Sequence, residues 1–155
     1  MNSNLLVVLT CLGCASAAGS RPGNVAPLRV IVGTIEDTVA IQRTADSTYF
    51  DVTAVAFNQD TRPVRFYSSV TPVQTEINGV WTTVFAANFT SGLTRLAAGD
   101  SIVVPIRVLG YSKADTYPRW NPQTVPGRYR LLFGVGPDVR GPPTQVQPST
   151  TFIVK

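Results

Sequence analysis

The sequence contains no histidine, and both of its cysteines, Cys11 and Cys14, lie within the first fourteen residues. Without histidine, and without cysteine in the body of the chain, histidine-based catalytic triads, cysteine nucleophiles and zinc sites built from histidine or cysteine are excluded. Charged residues make up only 14% of the chain, and the basic ones occur singly rather than in clusters. Nucleic-acid-binding surfaces need basic clusters. We therefore predict a protein that is not an enzyme, has no cofactor or metal, and does not bind nucleic acid.

The first twenty residues lack charged side chains and contain a short apolar stretch from Leu5 to Leu12. This length is typical of a signal-peptide core and far below the roughly 20 residues of a membrane span. Ala15-Ser16-Ala17 matches the small-x-small pattern that signal peptidases cleave. The sequence predicts a signal peptide over residues 1–20, a tether over 21–27 and one domain over 28–155.

The stretch Leu12-Gly13-Cys14 resembles the lipobox of bacterial lipoproteins, whose cysteine becomes the first residue of the mature chain and carries the lipid. Cys11 departs from that family's usual leucine. Three outcomes stay open: lipidation of Cys14, cleavage after Ala17 or Ala18, and no cleavage. Either cleaved form has no disulfide, so the fold must depend on a hydrophobic core. We expect an exported protein, secreted or held in the periplasm or outer envelope, with a lipid on Cys14 as its only membrane attachment.

Runs of β-branched and aromatic residues alternate with turn signals about every eight to fifteen residues, a spacing typical of antiparallel sandwiches. In Thr48–Phe57, one face consists of Phe50, Val52, Ala54 and Ala56, and the other face also includes apolar residues, Val55 and Phe57. Apolar residues on both faces indicate a central strand. Ser101–Leu109 also alternates, and Pro105 within it marks an edge strand or a bulge. Asn78-Gly79 is the strongest turn signal, because this pair supplies the two positive φ angles of a type I′ hairpin. No segment has a convincing helical period. The predicted fold class is all-β, a single antiparallel β-sandwich with little helix.

Four motifs follow one another in an order that resembles secreted bacterial immunoglobulin-like domains. The motifs are Phe57-Asn58 with Val64-Arg65-Phe66, Glu76-Ile77-Asn78-Gly79-Val80-Trp81, Leu96 with Gly99-Asp100-Ser101, and Pro126-Gly127-Arg128-Tyr129-Arg130. A weaker similarity is to the intracellular proteinase inhibitor family. The resemblance implies an immunoglobulin- or fibronectin-like sandwich of about seven to nine strands. It implies structural roles for Gly127 and Tyr129, and neither family supplies catalytic residues.

Trp81 follows the predicted hairpin turn closely, and we expect its indole to lie in the core. Residues 110–125 form a long polar and aromatic loop between two predicted strands, and loops of this length are often functional. Tyr111, Tyr117, Arg119 and Trp120 are its candidate binding residues, since Trp, Tyr and Arg dominate binding hot spots. The alternative is that these rings pack under the loop.

The predicted function is a non-catalytic binding or structural module that acts through loops at one end of the sandwich. Its partner would be a protein or a glycan. Two alternatives stay open: a proteinase inhibitor that uses the 110–125 loop, and a carbohydrate-binding module that stacks sugars on Trp120.

Overall fold

The computed structural model describes residues 26–68, 70–88, 92–112 and 126–155. These residues form twelve strands and contain no helix, so none of them belongs to a helix that could cross a membrane. The strands are β1 (Val30–Thr34), β2 (Thr38–Val39), β3 (Gln42–Arg43), β4 (Ser47–Asn58), β5 (Val64–Tyr67), β6 (Val70–Ile77), β7 (Val80–Asn88), β8 (Leu93–Leu96), β9 (Ser101–Ser112), β10 (Gly127–Pro137), β11 (Gln145–Pro148) and β12 (Phe152–Val154).

The strands form two sheets. In the first, β4 is central, with β9 on one side and β1 and β3 on the other. In the second, β10 is central, with β11 and β12 on one side, β5 and β6 on the other, and β7, β8 and β2 further out. This division, with β1, β4 and β9 facing the β10 sheet, is that of an immunoglobulin-like sandwich. The predicted all-β fold class is confirmed.

The core lies between the two sheets and is built from alternate residues of the central strands. Phe50, at the start of β4, packs with ring centroids 5.6 Å from Tyr129 and 5.9 Å from Phe152 of the opposite sheet. These three rings join the sheets near one end, where β10 begins. The fully or almost fully buried residues of β4, β9 and β10 are Phe50, Val52, Ala54, Ala56, Ile106, Val108, Tyr129, Leu131, Phe133 and Val135.

The hairpin between β6 and β7 has the turn that its sequence predicts. Asn78 has a φ of 52° and Gly79 a φ of 79°. Ile77 and Val80 are paired across the turn. Both central residues therefore have the positive φ of a type I′ turn, whose twist matches that of the strands it joins.

Glu36 lies where the chain leaves the first sheet for the second. Its carboxylate accepts hydrogen bonds from the backbone N–H of Thr53 at 2.7 Å and from the Thr53 hydroxyl at 3.0 Å. It thus satisfies a donor of β4 beyond the end of β1. Two residues later, Thr38 and Val39 pair in parallel with β12 in the other sheet.

The turn after β4 is fixed by two buried polar side chains. The Asn58 amide nitrogen lies 2.9 Å from the carbonyl oxygens of Arg62 and Ala97, and its oxygen accepts from the Asp60 backbone N–H at 3.0 Å. The Asp60 carboxylate accepts two hydrogen bonds, each 2.9 Å, from the Arg62 side chain. This network fixes the end of the sandwich opposite the Asn78-Gly79 turn.

Candidate functional site

The loop that the sequence selects is attached at the end of the sandwich where the Phe50 rings pack. At one attachment, Ser112 pairs with Ser47, and at the other, Gly127 pairs with Val154. The backbone of Tyr111 pairs with Thr48 at the end of β9. The described part of the structure does not include the Tyr111 side chain, Tyr117, Arg119 or Trp120, so their binding role stays a prediction. The signal peptide over residues 1–20 and the lipidation of Cys14 also stay predictions.

Next to these attachment points, on the outer face of the second sheet, lies a group that we call the Trp81 platform: Trp81, Arg130, Gln74 and Thr83. The Arg130 guanidinium carbon lies 4.4 Å from the centroid of the Trp81 ring. Arg130 Nε donates to Gln74 Oε1 at 2.7 Å, and Gln74 Nε2 lies 3.1 Å from Thr83 Oγ1. Ring and amide together hold the guanidinium in one orientation.

Strand pairing assembles this platform from three strands. Arg130 is directly opposite Gln74, and Gln74 is opposite Thr83 on its other side. Trp81 is opposite Glu76, two residues from Gln74 and on the same face. Since side chains of one face recur every second residue, the four groups meet on one patch of the sheet.

The expectation that Trp81 lies in the core is wrong. Its side chain is only partly buried and lies on the outer face, beside Arg130. Its cross-strand partner Glu76 binds Arg128 at 2.8 Å on that same exposed face. The pairing register, rather than hydrophobicity, decides the side to which the indole points.

Charge on the platform is not balanced. Arg128 is paired with Glu76, whereas the described groups that bind Arg130 are neutral, an amide and an indole ring. A cation over an aromatic ring at an exposed site gains about 0.5–1 kcal/mol, which orients the guanidinium without neutralising it. The platform therefore offers a fixed positive charge with donors left to bind an acidic group.

The first sheet has a similar stack of an arginine on an aromatic ring, but there an acid neutralises the arginine. Arg107 lies 4.3 Å from the centroid of the Tyr49 ring. Its Nε and Nη2 donate to the two carboxylate oxygens of Asp51, at 2.7 and 2.8 Å. This bidentate ion pair cancels the charge of Arg107, so the same geometry here has no free cation.

At the opposite end of the sandwich, Arg65 and Arg95 share the carboxylate of Asp138. The hydrogen bond from Arg95, and then that from Arg65, lowers the pKa of Asp138, while burial opposes the shift. A cavity of about 480 Å³ lies at this end, with Arg62 at its wall. That arginine is already bound by Asp60. The other lining residues are Ala26, Pro27, Leu28, Pro137, Thr144 and Gln145.

Within the described ranges, no three histidine, cysteine, aspartate or glutamate side chains converge as a metal site would require. What these residues present is an oriented guanidinium, an aromatic ring and an amide group on the outer face of a sheet. The alternation of β10 already places Arg128 and Arg130 on the outer face. The sequence could not show that Gln74 and Trp81 lie beside them, because β6 and β10 are far apart in the chain.

No protein-family model matches the chain, and no curated protein matches it significantly. Among solved structures, the chain is similar to the structural-genomics target SoR45, with 14% identity, 82% of this chain and 85% of that chain covered, and a TM-score of 0.47. It is similar to the ASH/PapD-like domain 7 of human CEP192, with 14% identity, coverage of 92% and 94%, and a TM-score of 0.39. It is also similar to the CARDB domain of the PF1109 protein from Pyrococcus furiosus, with 16% identity, coverage of 83% and 89%, and a TM-score of 0.36.

Proposed function

We propose that the chain is an exported, non-catalytic binding module whose contact surface is the Trp81 platform, at the end where the 110–125 loop is attached. The observation that carries this proposal is the Arg130 guanidinium, which is stacked on Trp81, held by Gln74 and not neutralised by any described acid. A pre-oriented arginine beside a tryptophan is the composition of a protein-binding hot spot. Prior ordering also lowers the entropy that binding costs.

A protein partner with an exposed carboxylate fits this surface better than a glycan does. Arg130 covers part of the Trp81 ring, and the ring is itself partly buried in the sheet. Sugar stacking needs an open aromatic face, whereas an acidic side chain needs only the free N–H groups of Arg130. The inhibitor and carbohydrate alternatives depend on loop residues outside the described ranges, and they stay predictions.

The test compares two arginines that have the same geometry. Arg130→Gln removes the charge over Trp81, and Arg107→Gln removes the charge over Tyr49 on the opposite sheet. Immobilised protein would be exposed to an envelope extract of its own source, and each retained protein would be quantified by mass spectrometry. We expect a partner whose retention falls at least about tenfold with Arg130→Gln and is unchanged with Arg107→Gln, since a lost charged hydrogen bond is worth about 1.5–3 kcal/mol.

Equal retention by both variants would remove the platform from consideration as the contact surface. Trp81→Ala provides a second check, because it should weaken the same partner while the melting temperature falls only slightly. A large fall in melting temperature would indicate a structural role for the indole instead.

Export is a separate part of the proposal and depends on the leader sequence. The intact mass of the mature protein decides between its forms. A diacylated or triacylated chain beginning at Cys14 would identify a lipid-anchored envelope protein, and a chain beginning at Ala18 or Gly19 would identify a freely secreted one. An intact mass that includes residues 1–20 would contradict export by this leader.

A further inference from the structure

The outer face of the first sheet exposes large apolar side chains at neighbouring positions. Ile31 on β1 pairs with Phe57 on β4, and Val55 on β4 pairs with Val103 on β9. Ile31 is 49% exposed, Phe57 39% and Val103 58%. Ile35 and Leu109 extend this surface and are also exposed. We call Ile31, Val55, Phe57 and Val103 the apolar face. Contiguous exposed apolar surface of this kind marks an interaction site.

On the outer face of the first sheet one acid and one base lie side by side, and a second acid, Glu36, binds Thr53 at the edge of that face. Within the strand residues of β1, β4 and β9, the charged side chains are Asp51 and Arg107, and they bind each other. The whole chain, in contrast, has a net charge of +4. Two copies would therefore repel each other in most relative orientations, and least when these two faces meet. A face with one acid and one base is also complementary to itself when a two-fold axis relates two copies.

The edge of the same sheet is protected against pairing. Asn58 N–H donates to Asp100 O, so the alternation of the ladder directs the peptide groups at Pro105 away from β4, toward the side of β9 where no described strand pairs. Proline has no N–H to donate there, and proline at an edge is a known barrier to strand addition. Association through this sheet is thereby directed to its face.

We propose that two copies of this chain associate face to face, with the first sheets in contact through Ile31, Phe57 and Val103. Asp51 and Arg107 of one copy then lie against Arg107 and Asp51 of the other. The partner is a second copy, because the acid and base that lie side by side on this face are complementary to the same pair in a copy related by a two-fold axis.

The size of the surface places the dimer among the small, transient interfaces. β4 and β9 have 12 residues each, so the sheet is about 40 Å long and about 14 Å wide across three strands. That projected area, about 560 Å², is below the roughly 800 Å² per partner of stable complexes. We therefore expect a reversible dimer with a dissociation constant in the micromolar range rather than a permanent one.

Sedimentation velocity on the mature chain tests this proposal, from about 1 μM to about 300 μM protein, a range that brackets micromolar dissociation constants. We expect the wild type to shift from monomer to dimer as its concentration rises. Val103→Glu places a charge on the apolar face and should raise the dissociation constant at least about tenfold. Its matched control is Val146→Glu, on the second sheet, where Val146 is 62% exposed and the dimer should be unaffected.

Salt separates an apolar dimer from non-specific charge-driven association. At about 0.5 M salt, where exposed charges are screened, the dimer should persist. A wild type that stays monomeric to the highest concentration would overturn the proposal. So would a dimer that Val146→Glu weakens as much as Val103→Glu does. Circular dichroism of both variants confirms that each one is folded before it is compared.

Discussion

At the scale of single residues, Thr71 is an exception to the rule that buried polar groups are paired. Its side chain is fully buried on β6, and its hydroxyl has no hydrogen-bond partner among the described residues. A buried hydroxyl without a partner costs about 1–3 kcal/mol. Thr71→Val should therefore raise the free energy of unfolding by about 1 kcal/mol in urea denaturation. A loss of stability would show that the hydroxyl is bonded in solution.

Asp60 is a second single residue with a measurable effect, because its ionisation makes the stability of the fold depend on pH. The hydrogen bonds from the Arg62 side chain, and then those from the backbone N–H groups of Arg62 and Arg29, hold its pKa far below the ordinary 3.8, although burial opposes them. A depressed pKa stabilises the fold above the unfolded-state value, and this contribution is lost as the pH falls. The stability gap between wild type and Asp60→Asn should be largest above about pH 5 and should narrow below about pH 4.

Chemical denaturation at several pH values measures that gap. Asp37→Asn, which changes an exposed carboxylate, is the control and should leave the pH dependence as it is in the wild type. If the Asp60→Asn gap were the same at all pH values, the ion pair with Arg62 would not be the source of the acid sensitivity.

At the scale of elements, the connection between β10 and β11 folds back over the outer face of the sheet. A Cβ atom on Gly134 would lie 2.8 Å from Pro143 Cβ and 3.1 Å from Tyr67 Cβ. The Tyr67 hydroxyl donates to the Gly141 carbonyl at 2.6 Å and holds the connection in place. Gly134→Ala should therefore cost about 1–3 kcal/mol through overpacking. Gly33→Ala is the control, because the nearest atom to its Cβ would be 4.0 Å away. Equal melting temperatures for the two variants would contradict this packing.

The elements also show which features could be predicted from the sequence. Strand alternation and the Asn78-Gly79 turn depend on residues near one another in the chain, and both predictions are confirmed. The Trp81 platform depends on the pairing of β6 with β10, for which no local pattern exists. The position of Trp81 also depends on this pairing, because the register places its indole beside an ion pair on the outer face.

At the scale of the whole molecule, the two outer faces have different electrostatic characters. On the face of β1, β4 and β9, Arg107 is paired with Asp51, whereas on the face around β10 no described acid pairs with Arg130. Because the sheets are packed back to back, a dimer formed through the first face would leave both Trp81 platforms exposed. The two proposals are therefore compatible, and binding at one platform does not require a second copy.

The inner and outer faces of β4 contribute differently to the stability of the fold. One phenylalanine on each face allows the two contributions to be measured separately. Phe50 is fully buried and contacts Tyr129 and Phe152 across the sandwich, whereas Phe57 is 39% exposed on the outer face. Phe50→Ala leaves a cavity at the junction of the sheets and should cost about 3–5 kcal/mol. Phe57→Ala should cost about 1 kcal/mol or less, since much of its ring is already in water. Urea denaturation at about 1 μM protein, below the expected range of dimer formation, measures both. Similar losses in the two variants would mean that the outer face is packed in the monomer, and the apolar face could then not be a free surface for a second copy.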